Sequence, residues 1–170
     1  MADDDPYELL DQGEPTGIVE LPPEWIRDDA VYFNMLRFSA LRPYTPPSSV
    51  EEVFPAEFEG AYREGGLFLL TMHPHVIGHR SRIALLDRLV AEGFAPGNIV
   101  LAGFSQGGVI ASFTALRYQA KLAGLLCMST YLAAPEQLVE EMSEAARALP
   151  ICYMHGIYDD VVSLSMGWDA

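Results

Sequence analysis

Residues 100–108 read VLAGFSQGG, and this stretch determines the predicted fold. Residues 99–103 form an apolar run of strand length, and residues 106–118 have the composition of a helix. Between them, residues 103–107 match the pattern G-x-S-x-G at a predicted strand-to-helix junction. In that context the serine lies on a tight, strained turn that exposes its hydroxyl at the carboxyl end of the strand. The stretch therefore predicts Ser105 as a nucleophile.

The residues around Ser105 have predicted roles in the same turn. Gly103 and Gly107 remove side chains that would otherwise clash there. The backbone N–H of Gln106 opens the helix, where it can stabilise an oxyanion. A simpler interpretation stays open, in which the glycines only allow strand and helix to pack closely and Ser105 caps the helix.

The rest of the chain alternates strands and helices. Further strands are predicted at residues 67–72, 122–128 and 151–155, and further helices at 48–62, 81–92 and 135–149. The first of these helices begins with a capping-box signature at Ser48 or Ser49. Strands joined by helices of this length indicate right-handed βαβ units. We therefore expect a three-layer α/β fold with a short, mainly parallel sheet of about four strands and helices on both faces.

Charge and composition limit the partners and the location. Residues 1–24 hold eight acids and no base, which predicts a flexible acidic arm over residues 1–20 before one α/β domain over residues 21–170. The formal charge of -14 disfavours nucleic acids and anionic membranes as partners. A chain without a long apolar run or a basic, apolar leader is expected to be cytoplasmic. Cys127 and Cys152 are expected to be buried thiols, so neither a disulfide nor a cysteine metal site is predicted.

A candidate catalytic acid follows the last predicted strand, in the sequence HGIYDDVV at residues 155–162. The acid of a serine triad lies on such a loop, and Asp159 is favoured over Asp160. Adjacent aspartates after a strand are also ordinary turn formers, and that alternative stays open.

Three segments together resemble the carboxylesterase and acyl-protein thioesterase branch of the α/β hydrolases. They are VLAGFSQGG at 100–108, LAGLLCMSTY at 122–131 and HGIYDDVV at 155–162, and the resemblance covers residues 91–165. The resemblance implies that Ser105 is the nucleophile, that Gln106 contributes to the oxyanion hole and that Asp159 is the triad acid. It also implies a histidine base downstream of the acid, yet no histidine follows His155.

Residues 18–90 resemble the carboxyl-terminal part of polysaccharide deacetylases of the allantoinase-like branch. The resemblance is carried by ELPPEW at 20–25, EFEGAY at 57–62 and GLFLLTMHPHVIGHRSRIALLDRL at 66–89. It implies a chimera, with deacetylase-like residues 21–90 joined to hydrolase-like residues 91–170, and it makes His73 similar to a late active-site histidine. The metal-binding motifs of that family do not occur here, and His73, His75 and His79 lack a recognised ligand spacing, so no metal or other cofactor is expected.

Three functions follow as hypotheses. The first is a serine carboxylesterase acting on small carboxylic esters, with His73 as a substitute base and weak turnover because the usual histidine is missing. The second is a folded but catalytically silent domain that forms a homodimer through an exposed sheet edge. The third is a metal-dependent polysaccharide deacetylase.

Overall fold

The computed structural model describes residues 5–33, 45–91 and 95–168. The chain divides into two compact units, Met1–Glu92 and Gly93–Ala170, and each is described here by itself. This division differs from the arm and single domain predicted from the sequence. Within the described residues, no helix is both long and apolar enough to span a bilayer.

The N-terminal unit combines a hairpin with helices. Its strands are β1 (Tyr7–Asp11) and β2 (Glu14–Glu20), and its helices are α1 (Asp29–Phe33), α2 (Pro47–Glu64), α3 (Pro74–Ile77) and α4 (Arg80–Ala91). Strands β1 and β2 pair antiparallel, so the acidic segment predicted as a flexible arm forms a hairpin. Gln12 and Gly13 join the strands with φ of 50° and 92°, the positive values that a tight two-residue hairpin turn requires.

Helix α2 anchors the core of this unit. It begins at Pro47 after Pro46 and ends at Gly65, whose φ of 72° suits a glycine C-cap. The predicted capping box is wrong, because Ser48 and Ser49 lie inside the helix and not at its N-cap. The buried side chains come from four helices: Phe33, Val50, Phe54, Val76, Ile77 and Leu85.

The strand predicted at residues 67–72 is not formed. Thr71 makes an isolated parallel bridge with Asp28, through hydrogen bonds from Asp29 N–H to Thr71 O (3.1 Å) and from Thr71 N–H to Arg27 O (2.8 Å). Phe68 packs edge-on against Phe58 of α2, with ring centroids 5.6 Å apart. The apolar run is therefore covered in part by a helix, and a short apolar run alone does not distinguish that setting from a buried strand.

The C-terminal unit has the predicted α/β pattern. Its elements are β3 (Val100–Phe104), α5 (Gln106–Arg117), β4 (Gly124–Met128), α6 (Pro135–Glu141), β5 (Ile151–Met154) and α7 (Leu164–Trp168). The three strands pair in parallel in the order β3-β4-β5. A short parallel sheet with helices is confirmed, with three strands in this unit where about four were expected.

The helix predicted over residues 135–149 is interrupted after Glu141. The chain turns at Ser143, whose hydroxyl donates to Tyr118 O (2.6 Å) and accepts from Ala146 N–H (3.2 Å). A short 3-10 helix, Glu144–Ala148, follows. A buried serine that satisfies a neighbouring carbonyl and caps the next turn accounts for the break.

Helix α5 covers one face of the sheet. Its contacts with β3 and β4 bury Ala111, Ala115, Leu122, Leu125 and Cys127. On the opposite face Val100 is 57% exposed and Phe104 is 67% exposed. The strands run in one sequential order, and right-handed crossovers in that order place their helices on a single face.

The two cysteines lie in different surroundings. Cys127 belongs to the buried face, and burial raises the pKa of its thiol. Cys152 is exposed, which corrects the expectation of two buried thiols. Both are free.

Candidate active site

Ser105 occupies a strained turn between β3 and α5. Its φ of 51° and ψ of -123° lie outside the regions that side chains normally allow. The turn is fixed on both sides, because Ser105 N–H donates to Met128 O (3.0 Å) and Ser105 O accepts from Gly108 N–H (3.0 Å). The Ser105 side chain is half-buried and makes no capping hydrogen bond with a described amide of α5. This geometry does not support the alternative in which Ser105 only caps the helix.

Two glycines make the turn sterically accessible. A Cβ at Gly103 would overlap the carbonyl oxygen of Gly107. A Cβ at Gly108 would lie 2.6 Å from side-chain atoms of Thr130. At Gly107 a Cβ would meet no described atom within 4 Å, so its predicted steric role is wrong. The role of Gly108 was missed because Thr130 is distant in sequence.

Asp159 lies on the loop after β5, and its carboxylate is anchored by backbone amides. Its Oδ1 accepts from Val161 N–H (3.0 Å) and Val162 N–H (2.9 Å). These hydrogen bonds, first that of Val162, lower the pKa of Asp159 below its usual value. Asp160 is exposed. The Asp159 carboxylate therefore stays ionised at neutral pH, as a triad acid must.

His155 is the one histidine in the sequence between residues 93 and 170, and it is held in place. Its side chain is 4% exposed, and Nε2–H donates to Val162 O (2.8 Å). Within the described residues its Nδ1 is buried without a hydrogen-bond partner, and the ring stacks on Tyr153 with an interplanar angle of 7°. Asp159 Oδ2 lies 4.0 Å from Nε2. The ring anchors the loop through Nε2, and its unpaired nitrogen, Nδ1, is buried away from solvent.

The ends of the three parallel strands meet at one edge of the sheet. Ser105 follows β3, Thr130 follows β4 and Asp159 follows β5. Thr130 Oγ1–H donates to Ser105 O (2.7 Å), and Gly156 N–H donates to Ser129 Oγ (3.5 Å). The carboxyl edge of a parallel sheet is where such folds bind ligands. The arrangement brings the predicted nucleophile and acid to the same edge of this unit.

His73 lies in the N-terminal unit and pairs with a buried aspartate. Its Nδ1 is 2.7 Å from Asp29 Oδ1, and its backbone N–H donates to both carboxylate oxygens of Asp29 at 3.0–3.1 Å. Burial raises the pKa of Asp29, while the contacts with His73 act in the opposite direction. The pairing orients the imidazole, as carboxylates do for catalytic histidines.

One group of side chains in this unit has the spacing of a metal site. Ligand atoms of Asp28, Asp29 and His73 lie within 4.8 Å of one another. This set differs from the three histidines considered from the sequence. Since His73 Nδ1 is already bonded to Asp29, this hydrogen bond accounts for the arrangement.

Residues 79–170, more than half of the chain, match the family model for phospholipases and carboxylesterases. The chain belongs to the phospholipase/carboxylesterase family. The family match begins at residue 79, upstream of residue 91, where the hydrolase-like part was predicted to begin. The resemblance of residues 18–90 to deacetylases, and with it the chimera, stays a prediction.

Individual carboxylesterases and an acyl-protein thioesterase are similar to about half of the chain. A probable carboxylesterase of rice is 39% identical over 84 residues, and an acyl-protein thioesterase 1 of Cryptococcus neoformans is 39% identical over 83 residues. Each alignment covers 49% of this chain and 32% or 35% of the relative, so the chain spans about a third of these relatives. The crystal structure of Arabidopsis thaliana SOBER1 is 30% identical with a TM-score of 0.47, over 51% of this chain and 41% of that one.

The glycine geometry predicts different outcomes for two matched substitutions. Gly103→Ala is expected to destabilise the C-terminal unit by about 3 kcal/mol, because its methyl overlaps the Gly107 carbonyl. Gly107→Ala is expected to leave stability unchanged or raise it by up to about 1 kcal/mol, since alanine favours helix and the space is open. Urea unfolding followed by circular dichroism measures both. Equal losses for the two variants would contradict this account of the turn.

The lowered pKa of Asp159 predicts a pH dependence of unfolding. The depressed pKa means that the ionised form stabilises the folded state at pH values above 3.8, the ordinary value. That contribution is lost as the pH falls through the depressed pKa that Asp159 has in the folded protein. Asp159→Asn keeps an oxygen acceptor without the charge. The stability of this variant is therefore expected to change less than that of the wild-type protein over this acidic range. Thermal unfolding of both proteins between pH 2 and 6 measures the difference, and parallel curves would be evidence against it.

Proposed function

We propose that the chain is a serine carboxylesterase that acts on small carboxylic esters by acyl transfer. The supporting observation is the strained conformation of Ser105, at a strand-to-helix turn in a member of the phospholipase/carboxylesterase family. A non-glycine residue held at positive φ costs stability, and such strain is retained where function requires it. The names of the similar proteins support hydrolysis of an ester or a thioester.

The proposed reaction begins with attack by Ser105 Oγ on the carbonyl carbon of the ester. The new C–O bond moves an electron pair onto the carbonyl oxygen, and the Gln106 N–H stabilises the resulting oxyanion. Collapse of this intermediate expels the alcohol and leaves the acyl group on Ser105. Attack by water then releases the carboxylic acid and restores the hydroxyl.

Proton transfer is the step for which this chain departs most from a complete triad. Asp159 is ionised and in place to orient a base, but His155 is bonded to Val162 O. His73, which the sequence predicts as a substitute base, lies in the N-terminal unit, where its Nδ1 is bonded to Asp29. A serine without an efficient base reacts slowly, so low turnover is expected.

Covalent labelling tests the nucleophile directly. A fluorophosphonate is expected to modify Ser105 in the wild-type protein, and mass spectrometry of the digested protein identifies the site. Ser105→Ala is expected to abolish labelling and to reduce p-nitrophenyl acetate hydrolysis at least about tenfold. Ser165→Ala, at an exposed position, is the matched control and should behave as wild type. Equal hydrolysis by wild type and Ser105→Ala would refute the proposal.

A second substitution tests the base. His73→Asn keeps an N–H group near the position of Nδ1 for Asp29 and removes Nε2. If His73 takes the proton, hydrolysis is expected to fall by about a hundredfold. Thermal unfolding should change little. An unchanged rate would exclude His73 as the base while leaving Ser105 as the nucleophile.

A further inference from the structure

Thr130 holds the carbonyl group of the nucleophile. The residue follows β4, its side chain is 1% exposed, and Oγ1–H donates to Ser105 O at 2.7 Å. The same side chain fills the space that the missing Cβ of Gly108 leaves, with Cβ, Cγ2 and Oγ1 all 2.6 Å from the position of that atom. The other acceptor in reach of this hydroxyl, Tyr131 O, is more distant at 3.5 Å, so the contact with Ser105 O is a specific hydrogen bond as well as a packing contact.

The peptide unit that joins Ser105 to Gln106 carries two groups with different roles. Ser105 C=O and Gln106 N–H belong to one planar trans unit, so their directions are opposite and fixed relative to each other. Whatever orients the carbonyl therefore also aims the N–H proposed to stabilise the oxyanion. Gly108 N–H donates to the same carbonyl at 3.0 Å, but this bond lies within the first turn of α5 and cannot fix the turn against the sheet.

Thr130 is itself held by the neighbouring strand. Tyr153 of β5 donates its hydroxyl to Thr130 O, and the preceding residue Ser129 donates its N–H to Met154 O at 2.8 Å. Ser129 has a φ of 41°, so the chain after β4 is bent sharply to bring Thr130 beneath the turn. A series of hydrogen bonds thus runs from the end of β5 through Thr130 to the peptide after Ser105.

We propose that Thr130 is a positioning residue that orients the Ser105–Gln106 peptide, and through it the oxyanion-binding N–H. The inference rests on the proposed function for its catalytic consequence, while the orientation of the peptide is a structural property. Removing an oxyanion donor outright costs a factor of about 10² to 10³ in turnover. Loosening its orientation while the donor remains is expected to cost about tenfold in kcat. KM should change less than twofold, because the donor acts mainly on the transition state.

Two substitutions of similar size separate the hydroxyl from the packing. Thr130→Val keeps the branched shape and removes the donor, whereas Thr130→Ser keeps the donor and removes the methyl. Steady-state hydrolysis of p-nitrophenyl acetate is expected to show a tenfold lower kcat for Thr130→Val and near wild-type values for Thr130→Ser. Thr130→Ala is a second donor-free variant without added bulk, and it should share the loss. Equal effects of Val and Ser, or no effect of either, would overturn the inference.

A structural measurement makes the outcome independent of turnover. Crystal structures of Thr130→Val and Thr130→Ser give the orientation of the Ser105–Gln106 peptide directly. A rotated peptide in the valine variant alone supports the inference, and the same orientation in both variants overturns it. If the wild type shows no hydrolysis that depends on Ser105, the proposed function fails, and the peptide orientation still decides the role of Thr130.

Discussion

The site depends on the close approach of β3 and α5 at Gly103, where a single added carbon would overlap the carbonyl of Gly107. Because β3 and α5 approach so closely, Ser105 between them takes a strained conformation, with a φ of 51° and a ψ of -123°. Strain of this kind costs about 1–3 kcal/mol and must be offset by surrounding bonds. Two of them come from the residues at the end of β4, since Met128 O binds the Ser105 N–H and the Thr130 hydroxyl binds its carbonyl. The conformation of Ser105 is therefore a property of both strands.

The sequence predicted the helices and strands that depend on neighbouring residues, and it missed the contacts between residues that are distant in sequence. The order of β3, α5, β4 and β5 follows from periodicity and from the G-x-S-x-G context, and the predicted bounds agree to within about two residues. The steric role given to Gly107 belongs to Gly108, because the atom that requires it comes from Thr130. The run Leu67–Met72 was predicted as a strand because its length and composition fit one, but nothing in the run itself shows that Phe58 of α2 packs on it. The hairpin over residues 7–20 was missed because acidic residues surround the Gln12–Gly13 turn signal.

The sheet of the C-terminal unit is covered on one face because of its strand order. Each step from β3 to β4 to β5 moves in the same direction, and right-handed connections then return on the same side. Val100 and Phe104 point to the other side and are more than half exposed. Covering that face requires a connection that enters the sheet in the opposite direction, which the order β3-β4-β5 does not supply.

The two aspartates that face histidines differ in a way that bears on catalysis. Asp29 is fully buried and shares its carboxylate with the backbone and ring of one residue, His73, so its charge depends on that partner. Asp159 is held by the amides of Val161 and Val162 through one oxygen, Oδ1, and these two hydrogen bonds are the largest causes of its lowered pKa. Its second oxygen lies 4.0 Å from His155 Nε2, whose proton is directed at Val162 O. The carboxyl edge of the sheet thus holds Ser105, the predicted nucleophile, and the ionised carboxylate of Asp159, the predicted acid.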